Sequence, residues 1–597
     1  MTSSNSETFP YQVQPVVAGP YPSSRLRSFT VADGLMALIV FVAAVLRLYT
    51  LGKLPLSPAE AQAALANWQF LKPDAFTQGV MSPAYFTFTN LLMAIGGSND
   101  AIARLVPAVV GILTVMLVWL WRGRFQPVVY LIAGLGLAVS PLLVFTSRTA
   151  GGDAFAIFAL MLLILAGSRL VEGRRIWPYI FGVAIGLGLS SSALFYTGLA
   201  VFIAAFGIYN AQREERTEDR LQPWRVHGRY ILIAAIISFI LISTSFLLYP
   251  AGLGASLRLL PQWLGQFGLP ELNAEGGISI LAPYLALLRY EPVLVVLGIP
   301  AVIGTLWRND ERGAGVAQWT VTAVSLALLF ILLQAGVMNN ALIVLLPGYL
   351  LLGFFAQRLF TAQPTSRGTW AVAGGIILLG MVLLVSVGRF TRLGLWSGSN
   401  MTLLGLATVA FIFAGILVIV IIAWDNPAAR QGIFIGLSLV LLFFQWGKGW
   451  RLNVYAANDP RERWVTTGTH NEVPIMLNMI RGTSRQTANS AYDLSIFSQV
   501  DTPVLRWYLR DFSQVEFGSA PPINAQQDAI IAPVDEELGL PNEYFGADFG
   551  LQNRAYPGMA APTVDSILRW WLFHESDSPV DQQRVVVWLR SDLATGP

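Results

Sequence analysis

The chain has 597 residues, 54% of them hydrophobic and only 12% charged, with a mean hydropathy of +0.57. A soluble domain carries roughly 25% charged residues and rarely exceeds ~250–300 residues around one core, so this composition excludes a water-soluble globular protein. A net charge of +3 without a long basic run argues against a nucleic-acid partner, and the absence of cysteine excludes disulfides, thiolate nucleophiles and thiolate-held metals.

Residues 1–28 are polar and lack the cationic start and cleavage site of a signal peptide, so they read as a disordered cytoplasmic tail before a first helix that stays in the membrane. Apolar runs then recur at 30–50, 102–121, 127–146, 154–168, 176–190, 192–209, 230–249, 283–306, 317–336, 341–357, 369–388, 401–424 and 432–446. Several reach the ~20 residues that cross a ~30 Å hydrocarbon layer. The stretch from Ile176 to Asn210 is too long for one helix and divides at Ser190-Ser191-Ser192. Arg25 and Arg27, Arg122 and Arg124, Arg169, Arg174 and Arg175, then Arg213 to Arg229, Arg308, Arg312, Arg358 and Arg430 fall on one side. By the positive-inside rule that side is cytoplasmic, with only Arg389 and Arg392 against the bias. The expected fold is a polytopic all-α transmembrane domain of about 13 helices over 29–447, followed by an extracytoplasmic α/β domain over 448–597, in the plasma membrane.

The large first outer loop, 51–101, contains a helix signal. Ser57 suits an N-cap, Pro58 the first helical position, and Glu60 the positive N-terminal end. Apolar residues at 61, 64, 65, 68 and 71 form a stripe expected to lie in the membrane interface. Glu60 then stands at the mouth of the helices, either as a good first-turn residue or as a functional carboxylate. In the second outer loop, Arg148 and Asp153 lie between two apolar spans, where charge is costly unless paired or facing a polar cavity. An Arg148–Asp153 ion pair and a functional site are both open. Arg289 and Glu291 repeat the pattern at the outer end of the eighth span.

In order, the chain carries Arg47-Leu48, Pro58-Ala59-Glu60-Ala61, Ser82-Pro83-Ala84-Tyr85, Ala103-Arg104-Leu105-Val106-Pro107-Ala108, then Ser140-Pro141, Ser147-Arg148 and Asp153. This succession resembles the GT-C superfamily of membrane glycosyltransferases, densely over 30–170 and loosely to about 360. The resemblance implies a transferase that takes a sugar from a polyprenyl-phosphate donor at the outer surface and passes it to an envelope protein, lipid or glycan. It implies catalytic roles for Glu60 and Asp153, as general base and acceptor-orienting group, or as ligands of a divalent cation if the reaction uses one. From side and depth, Arg148 and Arg289 are phosphate candidates, with Glu291, Asp74 and Tyr85 as further substrate contacts. The family usually carries two adjacent acids in the first loop, and here Ala59 stands where the first would be. Glu60 or Asp74 then takes over its role, or the chain is a silent GT-C scaffold serving glycan export. A transporter is disfavoured by the absence of charge at mid-span and of a visible half-repeat.

From about Lys448 the composition turns polar. Ala529–Pro533 and Arg584–Leu589 read as strands, Val473–Ile480 and Thr563–Phe573 as helices, which gives the α/β assignment. Pro503 to Arg510 mixes arginines with Trp507 and Tyr508, a pattern of core packing or of a grip on sugar or anionic lipid. His470 and His574 are too sparse for a histidine metal site. No nucleotide-binding glycine loop is present, which disfavours a soluble nucleotide-sugar donor.

Overall fold

The computed structural model describes residues 29–72, 79–170, 174–211, 217–268, 281–306, 314–361, 364–393, 405, 408–416, 426–462, 464–488, 490–520, 526–536, 544–555, 564–575 and 580–594. In chain order the helices of the apolar part are α1 (Val31–Leu48), α2 (Pro58–Phe70), α3 (Pro83–Gly96), α4 (Asp100–Trp119), α5 (Pro127–Val139) and α6 (Pro141–Arg148). They continue with α7 (Asp153–Arg169), α8 (Ile176–Leu189), α9 (Ala193–Ala211), α10 (Thr217–Ser243), α11 (Gly252–Leu264) and α12 (Ala282–Tyr290). The last are α13 (Pro292–Leu306), α14 (Ala314–Leu333), α15 (Ala341–Thr361), α16 (Arg367–Leu393) and α17 (Pro427–Trp450).

Among the described residues, eight helices are long and apolar enough to cross a bilayer, or up to ten spans if each of two bent pairs counts as one. The chain is a multi-pass membrane protein. α7 and α8, both expected to span, are 17 and 14 residues long, and the expected span 401–424 lies largely outside the described residues. The division between α8 and α9 falls at the three serines, as expected.

The spans expected at 127–146 and 283–306 are each broken, at 56° between α5 and α6 and at 98° between α12 and α13. Both breaks fall at a proline. Pro141 and Pro292 lack an amide hydrogen and push the preceding residue out of helical backbone, which leaves Ser140 at ψ 116° and Glu291 at ψ 46°. Without a Pro141 donor the carbonyl of Leu137, four residues earlier, loses its helical partner. The buried Arg47 replaces it, donating through Nη2 to Leu137 O and through Nη1 to Ala138 O, each at 3.1 Å. An unmet carbonyl in hydrocarbon is expensive, so the Arg47-Leu48 motif has a structural reason.

The C-terminal part is a six-stranded mixed sheet in the order β1-β5-β6-β4-β2-β3, from β1 (Thr467–Thr469), β2 (Ser495–Ser498), β3 (Gln514–Phe517), β4 (Ala529–Pro533), β5 (Tyr544–Ala555) and β6 (Val580–Arg590). β2 pairs in parallel with β3 and β4, and the other pairings are antiparallel. Both strands and both helices expected here form, the helices as Val473–Ala488 and Val564–Phe573. The Pro503–Leu509 helix holds Trp507 fully buried and docks on the 51–101 segment, against α2. Trp507 Nε1 and the Tyr508 hydroxyl donate to the two oxygens of Asp100, at 2.8 and 2.7 Å, and Leu56 N donates to the Tyr508 hydroxyl at 2.8 Å.

The α2 stripe is therefore corrected. Ala61, Ala64 and Leu65 are buried, and α2 packs under the Pro503–Leu509 helix and against α3. Alanine side chains on that face are too small to anchor in lipid but permit close helix approach.

Candidate functional site

Glu60 is positioned by local sequence. Ser57 and Glu60 form a capping box, with Ser57 N donating to Glu60 Oε2 at 2.9 Å and Glu60 N donating to Ser57 Oγ at 3.4 Å. This turns the carboxylate back under the start of α2, where it is 3% exposed. There Arg104 of α4 meets it as a fork, Nε to Oε1 and Nη2 to Oε2, both at 2.7 Å. The remaining Arg104 donors hold the carbonyls of Leu51, Leu54 and Pro55. Ala150 N completes the set at 2.9 Å to Oε1. Burial by itself pushes the pKa of Glu60 up, but the Arg104 charge and the donated N–H groups outweigh it and hold the group below the usual carboxylate range. With four donors on its four lone-pair sites, Glu60 is a poor proton acceptor. It ties α2, α4 and the α6–α7 turn together.

That tie sets the next acid. Three residues after Ala150, Asp153 begins α7, and Oδ2 accepts from Asn339 Nδ2 at 2.6 Å. The preceding turn is wedged against α3 and the α8–α9 corner: a Cβ on Gly152 would meet Ser191 O at 2.1 Å and Ser82 Oγ at 2.4 Å. Around Asp153 the polar groups continue inward. Asn340 Nδ2 and Thr197 Oγ1 both donate to Gln334 Oε1, at 2.8 and 2.9 Å, and Trp263 Nε1 donates to Thr197 Oγ1 at 2.9 Å. Trp263 stacks on Tyr196 with ring centroids 6.1 Å apart. Two buried polar atoms here, Gln334 Nε2 and Asn340 Oδ1, have no partner among the described residues, and the Ser192 hydroxyl faces the Asp153 carboxylate. Unpaired donors and acceptors beside an acid and a stacked aromatic pair suit a polyhydroxylated ligand.

The other expected site residues are placed as follows. Tyr85 is buried and gives its hydroxyl to Ala103 O at 2.9 Å, beside the Glu60–Arg104 pair. Asp74 lies outside the described residues. Arg148 makes no ion pair with Asp153. Its Nη1 donates to the carbonyls of Leu46, Arg47 and Tyr49 at the end of α1, an end where cations are favoured. Arg289 is fully buried at the seam with the C-terminal domain, where Nη2 meets Glu462 Oε2 at 2.7 Å and the guanidinium lies 4.1 Å from the Trp570 ring. Its neighbour Glu291 points elsewhere. It accepts from Ser140 Oγ and the Tyr349 hydroxyl, both at 2.5 Å, from Gln445 Nε2 at 3.3 Å and from Leu142 N at 3.4 Å. The structure thus brings Glu60, Tyr85 and Asp153 to one region and places Arg289 and Glu291 in two separate networks.

No three His, Asp or Glu side chains converge among the described residues. Oxygen-seeking divalent ions need several free oxygen ligands. Glu60 has none to give, so Glu60 and Asp153 as they stand do not fit a cation held between them.

Asn339, Asn340, Gln334, Thr197 and Trp263 are not among the expected site residues. A signal for three of them exists, since Gln334 and Asn339-Asn340 interrupt an apolar sequence from 317 to 357. Thr197 and Trp263 carry no such mark.

With this geometry established, known proteins offer a comparison. Two solved structures of ArnT from Cupriavidus metallidurans, bound to undecaprenyl phosphate and in the apo state, align over 95% of this chain and 100% of their own. Both give a TM-score of 0.54, at 15% and 13% identity. The fold is the GT-C fold. A GT-C likeness also appears in sequence: the family model described as dolichyl-phosphate-mannose-protein mannosyltransferase matches residues 80–247, which contain Tyr85, Arg104, Arg148 and Asp153. The archaeal oligosaccharyltransferase AglB from Archaeoglobus fulgidus, in complex with an inhibitory peptide and a dolichol-phosphate, aligns more loosely, at TM-score 0.45 and 10% identity over 84% of this chain and 69% of its own. No curated protein sequence matches the chain.

Proposed function

We propose that this protein transfers a sugar from a polyprenyl-phosphate donor to an envelope acceptor at the outer surface of the plasma membrane, with Asp153 as general base. The observation that carries this reading is the pair of unpartnered buried polar atoms, Gln334 Nε2 and Asn340 Oδ1, beside an acid held by Asn339 and faced by Ser192. The GT-C fold and the polyprenyl phosphate bound in ArnT support the donor class. In the step proposed, the acceptor oxygen attacks the anomeric carbon, its proton passes to Asp153, and the C–O bond to phosphate breaks with its electron pair leaving on the polyprenyl phosphate. The Tyr196–Trp263 stack would face the sugar, and Glu60 would act by anchoring the 150–153 turn through Ala150. The N-terminus would be cytoplasmic and the C-terminal domain outside.

A silent scaffold is the second reading, favoured by Ala59 in place of an acid and by the saturation of Glu60. The deciding assay incubates purified protein in nanodiscs with radiolabelled polyprenyl-phosphate sugars and membrane extract. Wild type should release label from the lipid, and Asp153→Asn should lower the rate by about 10²–10⁴, the share of a positioned base. If folded wild type consumes no donor of the panel, the scaffold reading replaces this one.

A further inference from the structure

A crevice of about 660 Å³ opens between the α4–α5 turn and helices α7, α8, α9, α14 and α15. It lies at the end of the bundle opposite Glu60 and Asp153, the end where Asp33 at the start of α1 meets Trp119 and Arg122. Its volume falls in the ~300–1,000 Å³ range of small-molecule sites. Its wall follows α9 from Leu199 to Tyr209, ten residues or about 15 Å at 1.5 Å each, half of a ~30 Å hydrocarbon layer. The end farthest from the α4–α5 turn is apolar, lined by Leu199 and Leu350, whereas the end at that turn carries Arg124, Tyr209 and Trp121. Trp121 is 2% exposed, and its indole N–H has no acceptor among the described residues. A second groove of the same volume, between α8, α10 and α11, is lined by apolar residues alone and offers no such donor.

We propose that this crevice is a binding site for one phospholipid of the adjacent leaflet. One acyl chain fills the space down to Leu199, and the phosphate accepts the Trp121 N–H and lies beside the exposed Arg124. The depth matches one leaflet, the walls match a hydrocarbon chain, and the buried unmet donor near the α4–α5 turn calls for an acceptor that the described residues do not supply. The shared chemistry, a phosphate on a long apolar chain, also describes a polyprenyl phosphate. The ~15 Å length of the lined wall favours the shorter phospholipid chain. The site is independent of the proposed transferase activity.

The test is native mass spectrometry of protein purified in mild detergent, followed by extraction and identification of bound lipid. Wild type should retain one phospholipid per chain through detergent exchange. Leu199→Trp, which fills the apolar end, should lower retention about tenfold, equal to the ~1.4 kcal/mol of one decade. Trp121→Phe keeps the packing and removes only the N–H, and should lower retention severalfold; it alone decides the matter if Leu199→Trp does not fold. Equal retention by wild type and Trp121→Phe would show annular lipid only and overturn the proposal. Recovery of a polyprenyl phosphate from wild type would overturn the assignment to phospholipid.

Discussion

Glu60 and Glu291 are both buried carboxylates in a membrane protein, and the molecule accommodates them in opposite ways. Glu60 has a cation, the Arg104 fork, and two backbone donors. Glu291 has no ion-pair partner among the described residues and relies on hydroxyl, amide and backbone donors from Ser140, Tyr349, Gln445 and Leu142. The first arrangement ties α2 and the α6–α7 turn to α4. The second ties two broken spans, α5–α6 and α12–α13, to α15 and α17. In each the acceptor sites are taken, so neither carboxylate is free for chemistry, and Asp153 stands out as the acid with unpartnered polar neighbours.

The comparison breaks most readily at Arg104. Arg104→Met would leave Glu60 buried without its counter-ion and should destabilise the protein by about 3–5 kcal/mol, read as a drop in thermal midpoint in detergent. Glu291→Gln removes no counter-ion, and the Ser140 and Tyr349 hydroxyls can rotate to accept from the new amide. Its cost should stay near 1 kcal/mol, the net scale of one hydrogen bond. Equal losses in the two variants would mean that counter-ion and neutral donors do not differ in kind here.

A third buried acid, Glu462, sharpens the comparison through pH. It combines both solutions, with Arg289 and His574 on one side and the Tyr290 hydroxyl at 2.5 Å on the other. Burial pushes Glu462 up, but the His574 hydrogen bond and the Arg289 charge prevail and bring it to about 2. Burial lowers His574 to about 4 against the pull of Glu462. Both folded values lie below the ordinary values of 4.5 and 6.5, so the unfolded chain binds more protons and stability falls with falling pH. The His574 share should be lost between about pH 6.5 and 4, and the Glu462 share between about pH 4.5 and 2. His574→Gln should flatten the upper part of a thermal-midpoint profile and, by removing a hydrogen bond that lowers Glu462, narrow the lower part as well. An unchanged upper part would remove His574 from the seam's energetics.

How far these regions were legible in the sequence depends on the distance over which each signal acts. Hydropathy marks the spans because each is a local run of apolar residues. It averages across Pro141 and Pro292, so two broken spans read as continuous although both prolines are in plain view. The capping box at Ser57 and Glu60 is a three-residue pattern and is readable. Its partner Arg104 stands in a quoted motif, yet nothing in a sequence reports that residues 44 apart will meet. The same holds for Arg289 and Glu462, 173 apart, where side and depth suggested a phosphate group and the fold supplied an acid of its own. Asp153 was found from its cost between apolar spans, while its Asn339 support comes from a corner 186 residues on.

The smallest effect expected is at the joint between the two parts of the chain. Asp100 begins α4 and receives both the Trp507 N–H and the Tyr508 hydroxyl. Asp100→Asn keeps one acceptor oxygen and removes the charge. It should weaken docking by about 1 kcal/mol, from the loss of charge-assisted bonding. The same change removes an acid from the first turn of α4, worth ~0.3–1 kcal/mol by itself. Hydrogen exchange separates the two: a docking loss lowers protection in the Pro503–Leu509 helix roughly fivefold, near the 1 kcal/mol scale, whereas a helix-end loss frays only the start of α4. Fraying at α4 with full protection of the Pro503–Leu509 helix would mean that the domain is held by its buried contacts, Trp507 foremost, and that the Asp100 bonds orient it without contributing to its stability.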